Sequence, residues 1–197
     1  MNTPLRLTAA EVSSKPFPYF VSPEALQPDT SQSILAWLET DVPWQLVKTN
    51  FYEQFEFSLW DVLLPRGLNF LRSPFFLTSI KKRLEEVFEV GLKDHPDITA
   101  HKLIPGQRIR LHNDFIPGAE THRLLIQLNN GWQDENGGLL LFFHSDDPAD
   151  IHKIFRPQHN SAVGFALTQN SYHAVSTIHA GTRFTLVYSF IERGGGG

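Results

Sequence analysis

Cysteine is absent from the 197-residue chain. Disulfide frameworks and thiolate metal sites are therefore excluded, and any bound metal must take nitrogen or oxygen ligands. Nine histidines make such a site chemically available. No apolar run approaches the ~18–20 residues that a membrane span needs. The first ten residues carry Arg6 but no continuous apolar stretch, so no secretory leader and no membrane partner are expected, and the expected setting is cytoplasmic. Charge of one sign is not in excess either: 17 Lys and Arg face 21 Asp and Glu. A nucleic-acid footprint needs a clustered basic surplus, so no nucleic-acid partner is expected. Internal repeats are also missing, and nothing in the sequence specifies an oligomeric state.

What is present suits one soluble domain with a sizeable core, since 41% of the residues are hydrophobic. We expect residues 1–193 to form a single unit and the glycines at 194–197 to form a flexible tail. Within it, residues 1–96 read as a helical support region. Thr30 or Ser31 is placed to cap a helix carrying Ile34, Leu35 and Leu38 that stops before Pro43. A second helix is predicted over 73–92, with Ser73 as N-cap, Pro74 as its first residue and Gly91 at its end. Its residues Phe76, Ile80, Leu84, Val87 and Phe88 share one face, which should lie on a sheet. Residues 53–64 are mixed and receive no assignment.

From residue 97 onward the pattern changes to short β-type runs broken by turn signals. Eight runs are predicted, over 98–104, 108–112, 123–128, 139–143, 151–155, 163–167, 173–175 and 183–190. That number of antiparallel strands suits a jelly roll. The fold class expected is mainly β with supporting α-helices, with the jelly roll over 97–193.

The chemistry concentrates in three places. His112 and Asp114 stand two apart, and residues i and i+2 of a strand face the same side. His173 opens another predicted strand 61 residues later. Two histidines and one carboxylate on one face of an octahedral ion, with open positions opposite, are the donor set of non-haem Fe(II) oxygenases. Ten residues beyond His173, Arg183 and Thr185 share one face of a strand that reads as buried. A buried guanidinium demands an anion, and its planar fork suits a carboxylate. Taken alone, the His-x-Asp pair is a weak signal; its conjunction with His173 and Arg183 is what gives it weight.

With these residues in view, the chain resembles the 2-oxoglutarate/Fe(II) dioxygenase superfamily, in its prolyl-hydroxylase-like branch. The resemblance runs through residues 104–114, which end in His112-Asn113-Asp114, then 123–129, Trp132, Gly137-Gly138-Leu139, Tyr172-His173-Ala174-Val175 and Gly181-Thr182-Arg183-Phe184-Thr185. It implies a cupin-like double-stranded β-helix for the jelly roll, and that His112, Asp114 and His173 ligate Fe(II). Arg183 would bind the far carboxylate of the co-substrate 2-oxoglutarate, with O2 as the oxidant, and Thr185 matches a hydroxyl residue found in some relatives. Gln127 stands where related hydroxylases often carry a tyrosine that touches the same carboxylate. Arg110 and Arg123 are candidates either for a substrate carboxylate or for structural ion pairs. His101 and His144 are the further histidines expected near the cavity, and residues 51–57, with Trp44 and Trp60, are candidates for shaping its entrance.

The activity implied is hydroxylation of an unactivated C–H bond of an amino acid, a peptide side chain or a related small molecule, releasing succinate and CO2. Related halogenases replace the carboxylate ligand with glycine or alanine, so Asp114 favours hydroxylation. Desaturation, cyclisation or epoxidation by the same centre remains an alternative, as does a non-catalytic cupin-like binding module.

Overall fold

Two antiparallel sheets face one another and two helices cover the outside of the larger one. The structure, a computed structural model, describes residues 4–194; beyond Gly194 the expected glycine tail lies outside the described residues. In chain order the elements are β1 (Glu11–Ser13), β2 (Tyr19–Ser22), α1 (Pro28–Leu38), β3 (Gln45–Lys48), β4 (Glu53–Ser58), α2 (Pro74–Phe88), β5 (Asp97–Leu103), β6 (Ile109–His112), β7 (His122–Gln127), β8 (Leu140–Phe143), β9 (Ile151–Phe155), β10 (Ala162–Ala166), β11 (His173–Val175) and β12 (Arg183–Phe190). The larger sheet has the order β1-β2-β10-β7-β12-β5-β4-β3, and the smaller the order β6-β11-β8-β9. The chain is thus mainly β, as expected. Among the described residues no helix is long and apolar enough to cross a membrane.

β12 shows how the layers are specified. Phe184, Leu186, Tyr188 and Phe190 alternate onto the helix-covered face, where they pack with Ile34, Leu38, Phe76, Ile80 and Leu84. The residues between them, Arg183, Thr185, Val187 and Ser189, face the smaller sheet and line the space between the two. Every residue of the strand is buried, because both faces are covered. A second apolar cluster, including Phe17, Tyr19, Phe142, Phe165 and Val175, closes the inter-sheet space at its other side.

The expectation of a helical support region over 1–96 is corrected. Residues 4–96 hold the two helices but also four strands, and all four belong to the larger sheet. β2 pairs with β10 and β4 pairs with β5, so the strands flank the β5–β12–β7–β10 centre on both sides. For β4 the physical reason it escapes a sequence reading is composition. On β4, Gln54 and Glu56 face the inter-sheet space while only Phe55 and Phe57 face away, and Glu and Gln are weak strand formers.

Helix boundaries also differ from expectation. α1 begins at Pro28 with Gln27 as N-cap and no side-chain cap bond, and Ser31 is buried inside the first turn. α2 begins as expected, with the Ser73 hydroxyl accepting from the Phe76 amide. It ends earlier, because Glu89 rather than Gly91 adopts the left-handed conformation, with φ of 57°.

Gly164 on β10 lies opposite Phe20 on β2, and a Cβ there would stand 2.1 Å from the Phe20 ring. Gly164→Ala should therefore cost about 1–3 kcal/mol through overpacking. A denaturant titration checks this, and an unchanged midpoint would mean that β2 is not held against the sheet as described.

Candidate active site

The site begins with two backbone carbonyls. His112 Nδ1 lies 2.7 Å from the Arg110 carbonyl oxygen, and His173 Nδ1 lies 2.7 Å from the Ser171 carbonyl oxygen. A carbonyl can only accept, so each Nδ1 carries the proton and each Nε2 keeps its lone pair. β6 and β11 pair with His112 opposite His173, which brings the rings to 4.2 Å between centroids. Both Nε2 atoms face one carboxylate: Asp114 Oδ2 is 3.2 Å from His112 and 3.6 Å from His173. One ligand atom from each of the three residues falls within 4.8 Å of the others, the spacing a single ion needs. Among the described residues this is the only such group of three or more His, Asp or Glu side chains.

Asp114 is aimed by its backbone as much as by its side chain. It sits in the left-handed region, with φ of 54°, which Asp tolerates better than most residues. The preceding Asn113 holds this turn. Its side-chain oxygen accepts from the Phe115 amide at 3.2 Å, its Nδ2 donates to the Gln169 carbonyl at 3.1 Å, and its own carbonyl accepts from the Ser171 hydroxyl at 2.9 Å. The Ser171 segment thus orients His173 and Asp114 together. Burial alone would raise the Asp114 pKa, but His112, His173 and Arg123 hold it well below the usual carboxylate range.

Arg123 reaches Asp114 Oδ2 at 2.5 Å and Glu120 at 2.6 Å. The structure therefore uses Arg123 as an ion-pair partner that steadies the carboxylate, and leaves none of its charge free for a substrate carboxylate. For Arg123 this is the second of the two expected readings; for Arg110 the expected inward placement is corrected. Strand period puts it on the inward face of His112, yet its side chain is exposed and lies outside the cavity. The cause is a register shift where β11 pairs with β6, between the His173–His112 and Val175–Ile109 pairs. This irregularity breaks the alternation, so Ile109 and His112 both line the cavity.

The cavity itself, about 250 Å³, opens between the sheets. Arg183 enters it 3% exposed, and no side chain accepts from it: its Nε is buried without a partner. Burial pushes its pKa down to about 10, still leaving it charged at neutral pH. Gly138 makes room for this arginine, since a Cβ there would lie 3.0 Å from Arg183 Cδ. An unpaired, buried guanidinium in a cavity beside a His-Asp-His cluster is a fit for an anion and a metal together. Thr185 also lines the cavity. Gln127 does not; it is buried behind Thr185, whose hydroxyl donates to Gln127 Oε1 at 2.9 Å, so any effect on a ligand passes through that hydroxyl.

Several cavity residues come from the stretch 51–57, which the sequence marks as a candidate entrance without assigning it a strand. Phe51 stacks on His112 with ring centroids 4.6 Å apart, and Tyr52, Gln54 and Glu56 continue the wall along β4. A strand assignment for 53–58 is the one signal able to reveal them. His101 lines the cavity as expected, whereas His144 stands away from it, 3.3 Å from His152. Burial, with Arg123 and Arg183 nearby, drives the His101 pKa down to about 3, and burial drives His122 to about 4.

Those two imidazoles stay neutral in the fold while their unfolded counterparts protonate near pH 6.5. The unfolded chain therefore binds more protons below that pH, and stability falls as pH drops from about 6.5 towards the folded values. At pH 5 the loss should approach about 2 kcal/mol per histidine. Urea unfolding at pH 7 and pH 5 measures it, and His122→Gln should flatten the dependence; a pH-independent midpoint would contradict the burial described.

Residues 98–190 match the family model described as "2OG-Fe(II) oxygenase superfamily". A curated relative, "Prolyl 3-hydroxylase sudestada1" of Drosophila melanogaster, is 25% identical over 185 residues, covering 87% of this chain and 33% of its own length. The chain thus spans about a third of that relative. Among solved structures, a Pseudomonas putida prolyl-4-hydroxylase superposes with a TM-score of 0.71 at 17% identity, covering 89% of this chain and 93% of the other. A prolyl hydroxylase from Trichoplax adhaerens, solved with a hypoxia inducible factor oxygen degradation domain peptide fragment, gives 0.70 at 11% identity, covering 88% and 83%. At these identities the structural likeness speaks for the fold, the double-stranded β-helix of prolyl hydroxylases.

Proposed function

Because the chain belongs, through residues 98–190, to the 2OG-Fe(II) oxygenase superfamily, we propose that it is a hydroxylase of proline within a peptide, with His112, Asp114 and His173 as the iron ligands. The cofactors of this superfamily are Fe(II), 2-oxoglutarate and O2, and together they supply an oxidant able to break an unactivated C–H bond, with succinate and CO2 as the co-products. The observation that carries the reading is the convergence of two lone-pair-bearing Nε2 atoms and a carboxylate on a cavity that also contains an unpaired arginine. A non-catalytic binding module is set aside by the family membership.

The roles follow from the side chains. His112 and His173 would offer neutral nitrogen to the ferrous ion and Asp114 an anionic oxygen, a donor set that suits iron in this superfamily. Arg183 would take the far carboxylate of 2-oxoglutarate, and the Thr185 hydroxyl lines the cavity on the same face of the strand. Gln127 holds that hydroxyl, acting on the co-substrate only through Thr185. Arg123 neutralises Asp114 from behind, which keeps the carboxylate ionised and fixed. Phe51, Phe165 and Val175 wall the cluster with apolar surface and limit water. A peptide substrate is favoured over a free amino acid because no cation in the cavity is left for an α-carboxylate: Arg123 is paired and Arg183 is assigned to the co-substrate.

The assignment is tested by adding Fe(II) and 2-oxoglutarate under anaerobic conditions. A weak visible charge-transfer band should appear in the wild type and be missing in Asp114→Ala. Arg183→Ala should weaken 2-oxoglutarate binding by about 2–4 kcal/mol, a loss of roughly 30- to 1,000-fold in affinity, because the carboxylate loses a buried charged partner. Normal co-substrate binding by Arg183→Ala would rule out the carboxylate-binding role of Arg183. Mass spectrometry of the peptide product separates hydroxylation, a gain of one oxygen, from desaturation, a loss of two hydrogens.

A further inference from the structure

Charges on the cavity wall do not balance. Three carboxylates line it, Glu56, Asp114 and Glu120, against two guanidiniums, Arg123 and Arg183. Arg123 is shared by Asp114 and Glu120. Arg183 belongs to the co-substrate under the proposed function, on which this inference rests. A ferrous ion and doubly ionised 2-oxoglutarate cancel one another. Glu56 is left without a counter-ion. Its partners are the Gln54 side-chain amide, which donates to Oε2 at 2.7 Å, and His101, whose Nε2 is 3.9 Å away and which burial keeps neutral.

A second observation points to the same spot. Gln54 is 3% exposed, lines the cavity, and its Oε1 is buried with no hydrogen-bond partner. Gln54 and Glu56 stand two apart on β4 and face the same way, so an unused amide oxygen and a carboxylate lie side by side. Both are acceptors: Glu56 takes its hydrogen bond from Gln54 Nε2, and Gln54 Oε1 takes none. The position is not that of the co-substrate's carboxylate: β4 is separated from β12 by β5, with His101 between Glu56 and Thr185 in the register. A carboxylate placed there would meet Glu56 as a like charge.

We propose that Gln54 and Glu56 form a substrate subsite for a cationic side chain, an ammonium or guanidinium, carried by the peptide next to the residue that is oxidised. Such a group offers several N–H donors and the missing positive charge at once, which satisfies both acceptors and offsets the cost of keeping Glu56 in the cavity wall. A neutral donor would satisfy the hydrogen bonds but leave the charge.

The test uses the full-length protein loaded with Fe(II) and 2-oxoglutarate under anaerobic conditions, with binding read by calorimetry rather than turnover. The probes are acetyl-Arg-Pro-Arg-amide and its citrulline counterpart, which keeps the shape and donors but not the charge. The arginine peptide should bind at least about tenfold more tightly. Glu56→Gln should erase that preference while leaving 2-oxoglutarate affinity within about twofold of wild type. Equal binding of the two peptides, no binding of either by a protein that still binds 2-oxoglutarate, or a preference that survives in Glu56→Gln each overturns the subsite and leaves the oxygenase reading standing. Failure of 2-oxoglutarate to bind removes the assignment of Arg183, and with it the charge count from which the subsite was inferred. Because the arginine–citrulline comparison is made on the wild-type protein, it stands even if the variant folds poorly.

Discussion

Two hydrogen bonds to backbone carbonyls set the terms for the rest of the molecule. The bonds from His112 Nδ1 to Arg110 and from His173 Nδ1 to Ser171 choose the tautomer of each ring and fix its rotation. Without them either nitrogen could face the cavity. With them, two lone pairs on adjacent strands address one point, and the left-handed turn at Asp114 brings an anionic oxygen to meet them. The smaller sheet has only four strands, yet it supplies both imidazoles, and its pairing of β6 with β11 is the reason they stand ring to ring.

The larger sheet answers with charge. Arg123 and Arg183 both project from its inner face, but they are treated in opposite ways. Arg123 is buried with two carboxylates around it, so its desolvation is offset locally by ion pairs. Arg183 is buried with none, and a charge left this way weakens the fold unless a ligand completes it. That imbalance is stored in a strand whose other face is packed by Phe184, Leu186, Tyr188 and Phe190 against the helices, where displacement is costly. Rigid apolar packing on one side is what allows an unsatisfied cation to persist on the other.

Much of this is legible in the sequence, and the limits have physical causes. The His-x-Asp spacing, His173 at a strand start and the Arg183/Thr185 alternation all depend on strand period alone, and strand period is what a sequence displays best. Arg110 is misplaced by the same rule, because a register irregularity in β6 defeats alternation locally and leaves no mark in the letters. Gln127 reads as a cavity residue by period, yet Thr185 stands in front of it. The strands before residue 60 are invisible for a different reason. A strand that lines a polar cavity must present polar residues inward, so β4 shows only the short alternation of Phe55 and Phe57 against Gln54 and Glu56.

The position of β4 has a consequence for how such a molecule can diversify. With β3 it forms a hairpin at one margin of the larger sheet, paired to that sheet through β5, while its turn touches β6 through the Tyr52–Ile109 bridge and the Phe51–His112 stack. The His112–Asp114–His173 cluster and Arg183 are rooted in central strands and in the opposing layer, and the hairpin reaches the cluster through the Phe51 ring on His112. Marginal hairpins tolerate exchange and change of length far better than central strands do. A lineage carrying this architecture can therefore rewrite what it selects by altering a few positions at the margin, while the reactive centre is inherited intact.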